Sequence, residues 1–237
     1  MGRGKLVMVI SKSIGERMVE AFGVPREKIR LVYRGVNPAK YTYCPDKYEG
    51  KKDLFRVINV GRLTPIKGQR EFIKAMKRVS EKVGRLEAWI VGGTQKGKEA
   101  YAEELKVLVK KMGMENHIKF LGLRSDIGDL LKKCDLLVLS TNVPEGFGRT
   151  VIEAGAAGVA CSASNVGGIR EIIDDGVTGL LFSPRNDASM ADAVVKMLRS
   201  AELCGRCAGN LRKKVEKFFT LEEMAKKTLA VYKEALH

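Results

Sequence analysis

Residues Cys134 to Ser164 read CDLLVLSTNVPEGFGRTVIEAGAAGVACSAS. The opening CDLLVLS is a short continuous apolar run, the length of a strand buried on both faces. A turn containing Pro144, Gly146 and Gly148 follows, then GRTVIEAGAAG, whose apolar residues recur at the three and four spacings of one helix face. A second short run, GVACSAS, closes the unit. Strand, helix and strand in so little chain predict two parallel strands joined by a right-handed crossover.

The same alternation extends in both directions. FRVINVG (Phe55 to Gly61), EAWIVGG (Glu87 to Gly93) and HIKFLG (His117 to Gly122) lie upstream and TGLLFS (Thr178 to Ser183) downstream, making six buried strands. KGQREFIKAMKRVSEKVG, KEAYAEELKVLVKKMG and SDIGDLLKKC between them have helical periodicity. The fold class is α/β: a parallel sheet of about six strands with helices on both faces. Ligands of such sheets gather at the carboxyl ends of the strands, so the turns there carry the functional reading.

The 237 residues are 45% hydrophobic and 30% charged, a globular composition. KLVMVI (Lys5 to Ile10) is basic then apolar, but it is too short for a signal core and no long apolar stretch follows; the chain reads as soluble and cytoplasmic. Five cysteines at irregular spacing fit a reducing compartment. Cys204 and Cys207 form a Cys-x-x-Cys with no second pair and no nearby His, a weak case for metal or redox chemistry. His117 reads as structural, and the other histidine is His237 at the end of the chain.

A net charge of +15 suggests polyanionic or phosphate-bearing partners. The cations are spread along helices such as KAMKRVSEKVGR and KVLVKKMG, which solvated helix faces explain equally well. No zinc-finger, helix-turn-helix or RNA-binding aromatic pattern accompanies them, which argues against specific nucleic-acid recognition.

Two turns stand out chemically. GRLTPIKGQREF sets Gly61, Arg62, Lys67 and Gly68 just before a helix, and open N–H groups, cations and the helix dipole together favour a phosphate. NVPEGFGRTVIE sets Glu145 on a glycine-rich turn and Glu153 eight residues later, in the second turn of the next helix. Glu145 could simply be an acid facing a helix N-terminus. The alternative is a sugar nucleotide lying across the turn: glycines admit the ligand to the backbone, and a carboxylate takes two hydrogen bonds from vicinal ribose hydroxyls.

With these residues in view, a resemblance emerges. GRLTPIKGQREFIKA, FLGLRSDIGDLLKKCDLLVLST and PEGFGRTVIEAGAAGVACSASNVGGIREIIDDGVTGLLF together resemble the C-terminal, donor-binding Rossmann domain of retaining glycosyltransferases of family 4, which have the two-domain B-type fold. The likeness covers most of the chain from about Arg30 onward. Glu145 to Glu153 matches the Glu-x7-Glu motif of that family.

The resemblance implies a donor site carried position by position. Arg62 and Lys67 would hold the diphosphate and neutralise the leaving group, with Glu145 beside the donor sugar; these three form the expected catalytic set. Gly61, Gly146, Phe147, Gly148 and Arg149 would meet the sugar and phosphates, the last three through backbone N–H groups. Glu153 would bind the ribose, and Leu123 and Arg124 would cradle the base. The substrate would be a UDP-, GDP- or ADP-sugar, with no metal and no cofactor.

The resemblance also implies a missing half. Residues 1–35, KLVMVISKSIGERMVEAFGVPREKIRLVYRG within them, resemble the last strand, helix and strand of the N-terminal acceptor domain. Residues 36–219 would be the nucleotide-sugar domain and 220–237, with a Thr220 cap, the crossing helix. At the hinge Arg34-Gly35-Val36-Asn37 stands where relatives read close to NGVD. Leu6 to Ile10 and Leu31-Val32 would leave apolar strand edges, which invite a homodimer or the absent acceptor domain, or else leave the stub disordered. Three functions compete: a hexosyltransferase donor half, a nucleotide-sugar-binding module inactive by itself, and a basic protein of anionic surfaces. The charge also fits the first, because several relatives work on lipid-linked acceptors at the inner membrane face.

Overall fold

Residues 4–50 and 52–236 are described by a computed structural model of the chain. Residues 1–3 of the expected stub and His237 lie outside them. All six sequence-read strands are present, as β3 (Leu54–Val60), β4 (Arg85–Val91), β5 (Ile118–Gly122), β6 (Leu136–Leu139), β7 (Ala160–Ser164) and β8 (Leu180–Phe182). They form one parallel sheet in the order β5-β4-β3-β6-β7-β8. The expected helices follow as α2 (Gln69–Ser80), α3 (Ala100–Lys111), α4 (Ile127–Lys133) and α5 (Arg149–Ala156).

The sheet divides the core in two. On one face Phe72, Ile73, Met76 and Val79 of α2 pack over Val57, Ala88, Ile90 and Val138. On the other, Val151 and Ile152 of α5 and Leu130 and Leu131 of α4 pack over Ile58, Leu137 and Leu139. Alternate residues of β3 thus face opposite layers, and Val57 and Ile58 at its centre are fully buried because both layers exclude water. Two further helices, α6 (Ile169–Ile172) and α7 (Asp187–Leu198), have no counterpart in the sequence reading. The helical stretch around Cys204 and Cys207 is α8 (Ala201–Phe218), which buries both thiols against backbone carbonyls of Met197 and Gly176.

The stub folds as strand, helix and strand: β1 (Val7–Val9), α1 (Lys12–Phe22) and β2 (Ile29–Leu31), with β1 and β2 paired in parallel. Val9, Val24 and Val32 are buried, whereas Met8 and Phe22 stay exposed. The expected apolar edge is therefore partly closed by the stub's own pairing. The last helix, α9 (Leu221–Leu236), starts with Thr220 Oγ1 accepting from Glu223 N–H at 3.1 Å. It returns to the stub, where Arg30 pairs with Glu234.

The Arg34–Asn37 segment is clasped tightly against the start of α9. Val36 N–H donates to the Phe219 carbonyl and Leu221 N–H to the Val36 carbonyl, both at 2.9 Å. A Cβ on Gly35 would fall 2.2 Å from the Thr220 carbonyl oxygen, so only glycine lets the two segments approach this closely.

Candidate functional site

The chain leaves β3 toward β4 and β5, then returns to the other side of β3 for β6, β7 and β8. Neighbouring β3 and β6 consequently send their helices, α2 and α5, to opposite faces. The crevice outside their carboxyl ends is the topological switch point, where open α/β sheets bind ligands. The two glycine-rich turns flagged in the sequence meet there.

Both helices begin on a left-handed glycine, Gly68 (φ 71°) before α2 and Gly148 (φ 105°) before α5, and neither has a side-chain cap. Their first N–H groups therefore stay open for an anion. Among the described residues the N–H groups of Gly146, Phe147 and Gly148 have no acceptor. Gly68 is obligatory for a second reason: a Cβ there would sit 1.9 Å from the Ser140 carbonyl oxygen.

Polar side chains hold the Arg62–Lys67 loop from below. Ser140 Oγ donates to the Lys67 carbonyl at 2.8 Å, Thr141 Oγ1 to the Ile66 carbonyl at 3.0 Å and Gln69 Nε2 to the Arg62 carbonyl at 2.9 Å. Asn142 adds its N–H to Ile66 at 2.8 Å and its Nδ2 to Pro65 and Glu71. Asn59, buried in β3, donates to Ser140 Oγ at 2.9 Å. Sequence reasoning passed over all of these. The available signal was an asparagine in the buried second half of β3 and three polar residues directly after β6.

The predicted charges are partly paired. Lys67 Nζ lies 2.5 Å from Glu145 Oε2, and the Lys67 stem runs over Gly61. Arg62 is exposed and, among the described residues, in no ion pair. Glu153 is 8% exposed and takes a hydrogen bond from Arg149 Nε at 2.9 Å. Burial pushes the Glu153 carboxyl up from its ordinary value, against the pull of Arg149. Nearby Tyr41 is raised to about 12, by burial first and then by the Glu153 charge. Arg124 pairs with Asp126 at 2.6 Å, which holds Asp126 down to about 2.

The sequence-predicted residues divide between two clefts. Gly61, Arg62, Leu123 and Arg124, floored by Gly92 and Gly93, line one of about 370 Å3. Glu145, Gly146, Phe147, Gly148 and Arg149, with Arg34 and Ile10, line another of about 490 Å3 between the turn before α5 and the N-terminal β1–α1–β2 unit. Lys67 spans the two through its contacts with Gly61 and Glu145. Glu153 lines neither, lying buried behind Arg149. The Phe147 side chain is a packing group, stacked on Tyr33 and edge-on to Phe219. A separate cleft of about 470 Å3 around Tyr48, Lys52 and Asp135 opens at the amino ends of the strands and shares no residue with these.

The family model described as glycosyl transferases group 1 matches residues 45–214. An uncharacterized glycosyltransferase of Methanocaldococcus jannaschii is 31% identical over 97% of the chain and 60% of its own length. The lipopolysaccharide core biosynthesis mannosyltransferase LpsB of Rhizobium meliloti is 28% identical over 87% of the chain and 61% of its own. Among solved structures, Anabaena HepE in complex with UDP and glucose superposes with a TM-score of 0.89 at 27% identity, over 97% of this chain and 63% of that one. The chain thus spans about 60% of the length of such relatives.

Proposed function

The chain belongs to the glycosyl transferases group 1 family, and from that premise we propose that it is the donor-binding half of a retaining, family 4 hexosyltransferase. The observation that carries the proposal is the meeting, at the switch point between β3 and β6, of two uncapped helix N-termini with Arg62, Lys67 and Glu145. Anabaena HepE, a structural relative, is crystallised with UDP and glucose, which favours a nucleotide-sugar donor over other phosphates.

In this reading the base rests in the cleft of Gly61, Leu123 and Arg124, and the sugar lies against Gly146 to Arg149. Arg62, Lys67 and the first N–H groups of α2 hold the diphosphate. As the glycosidic bond breaks, negative charge grows on the departing phosphate, and fixed cations stabilise it without reorganising. Glu145 stands beside the sugar, and Glu153 accepts from the ribose once Arg149 swings aside. The acceptor is held by the acceptor domain, which would meet the stub of residues 1–35; a second copy of the chain is the competing partner there. The positive charge suits a peripheral place at an anionic membrane face. No helix among the described residues is long and apolar enough to cross a membrane.

The test is calorimetric titration with UDP, GDP, ADP and their sugar conjugates. One nucleotide is expected to bind with a Kd of about 1–100 µM, and affinity for its sugar conjugate should fall in Glu145→Ala. Binding by none of them overturns the proposal. Binding without transfer to any acceptor favours the inactive-module reading.

A further inference from the structure

Glu171 sits on the four-residue α6, yet its carboxylate is engaged wholly by the stub. Oε2 accepts from Lys12 N–H at 2.9 Å and Oε1 from Ser13 N–H at 3.0 Å, the two opening amides of α1. Oε2 also accepts from the Tyr33 hydroxyl at 2.9 Å. Two otherwise orphaned helix donors and a half-buried phenol are thus satisfied by one acid more than 130 residues away in sequence. The shared negative charge and burial both push the Tyr33 hydroxyl well above the ordinary phenol range, burial being the larger cause.

The contacts continue into the Glu145–Arg149 turn, the donor turn of the reading above. The Tyr33 ring stacks on Phe147, centroids 5.7 Å apart. The turn that leads into α6 touches the same loop: Gly168 N–H donates to the Glu145 carbonyl at 2.9 Å. A Cβ on Gly167 would fall 2.3 Å from that carbonyl oxygen, and one on Gly168 would fall 2.7 Å from the Gly146 carbonyl oxygen. Glu171 therefore holds the stub at a point whose two routes, through Tyr33 and through Gly167-Gly168, end on Glu145 to Phe147.

We propose that Glu171 is a positioning residue that locks the β1–α1–β2 unit to the donor turn, so that the free N–H groups of Gly146 to Gly148 face the donor sugar only while the lock is made. The ligand half of this statement rests on the donor reading above; the mechanical half does not. Because the lock acts on the sugar end of the site, it alters recognition of the sugar and leaves the base and phosphate cleft unchanged.

Wild type, Glu171→Gln, Tyr33→Phe and the double variant are titrated with UDP and with UDP-glucose, and with the GDP and ADP pairs, while amide hydrogen exchange is followed at Lys12, Ser13 and Gly168, the last bonded to the Glu145 carbonyl. Each single variant is expected to lower sugar-conjugate affinity relative to the bare nucleotide by about five- to tenfold, the double no further, with nucleotide affinity held to within about twofold. Exchange at Gly168, whose N–H is bonded to the Glu145 carbonyl, should quicken in both. Lys12 and Ser13 should quicken in Glu171→Gln and stay protected in Tyr33→Phe. Equal weakening of nucleotide and conjugate, or quickened exchange confined to Lys12 and Ser13, overturns the proposal. If wild type binds no nucleotide the donor reading fails, and the exchange pattern alone decides the coupling.

Discussion

Lys67 Nζ and Glu145 Oε2 lie 2.5 Å apart, joining the loop after β3 to the loop after β6 across the switch point. Both side chains are only about one-fifth exposed, so the pair is shielded enough to matter. A diphosphate arriving in the crevice competes with Glu145 for Lys67. Glu145→Gln removes that competitor and one repelling charge, and should tighten nucleoside diphosphate binding by about 0.5–1 kcal/mol. Unchanged or weaker binding in a titration would mean that the diphosphate does not reach Lys67.

Arg62→Ala together with Lys67→Ala should weaken nucleoside diphosphate by about 2–4 kcal/mol and the corresponding nucleoside by far less. The comparison is made by calorimetry on the two ligands. Equal losses would place the phosphates elsewhere.

Glu153 is raised by burial, so its proton binds more tightly in the folded chain than in the unfolded one. Such an acid supports folding fully below its ordinary value of 4.5, and the support is lost as pH rises through the elevated folded value. Glu153→Gln should consequently raise Tm at pH 7 and lose that advantage below pH 4.5. Arg149, 74% exposed, regains water when the pair is removed. The same variant should lose nucleotide affinity by about 1–3 kcal/mol if the carboxylate binds ribose. Melting curves across pH with a parallel titration separate the two effects.

Gly68→Ala places a methyl on the Ser140 carbonyl and asks alanine to hold φ 71°. We expect destabilisation of about 2–4 kcal/mol by denaturant unfolding, with nucleotide binding lost in whatever remains folded. Gly84→Ala, where a Cβ meets nothing within 4 Å, is the control and should stay near wild type.

Short apolar runs carried the six strands, because the centres of β3, β4 and β6 are buried on both faces, and Arg56 and Asn59 in β3 and Arg85 and Glu87 in β4 interrupt runs that remain mainly apolar. The glycine turns carried Lys67, Gly68, Glu145 and Gly148 for a similar reason: uncapped helix starts need glycine locally, and local needs are written in adjacent residues. α7 went unread although Asn186 caps it through a hydrogen bond to Ser189 N–H, since its apolar face mixes alanines and methionines with weak contrast. Contacts between distant segments left no such trace. The pairing of Lys67 with Glu145, the burial of Glu153 behind Arg149, the Ser140, Thr141 and Asn142 supports and the grip of Glu171 on α1 join residues that no spacing rule connects. They arise because the strand order brings β3 beside β6 and folds the stub back over α6, and only that arrangement in space decides which charges meet.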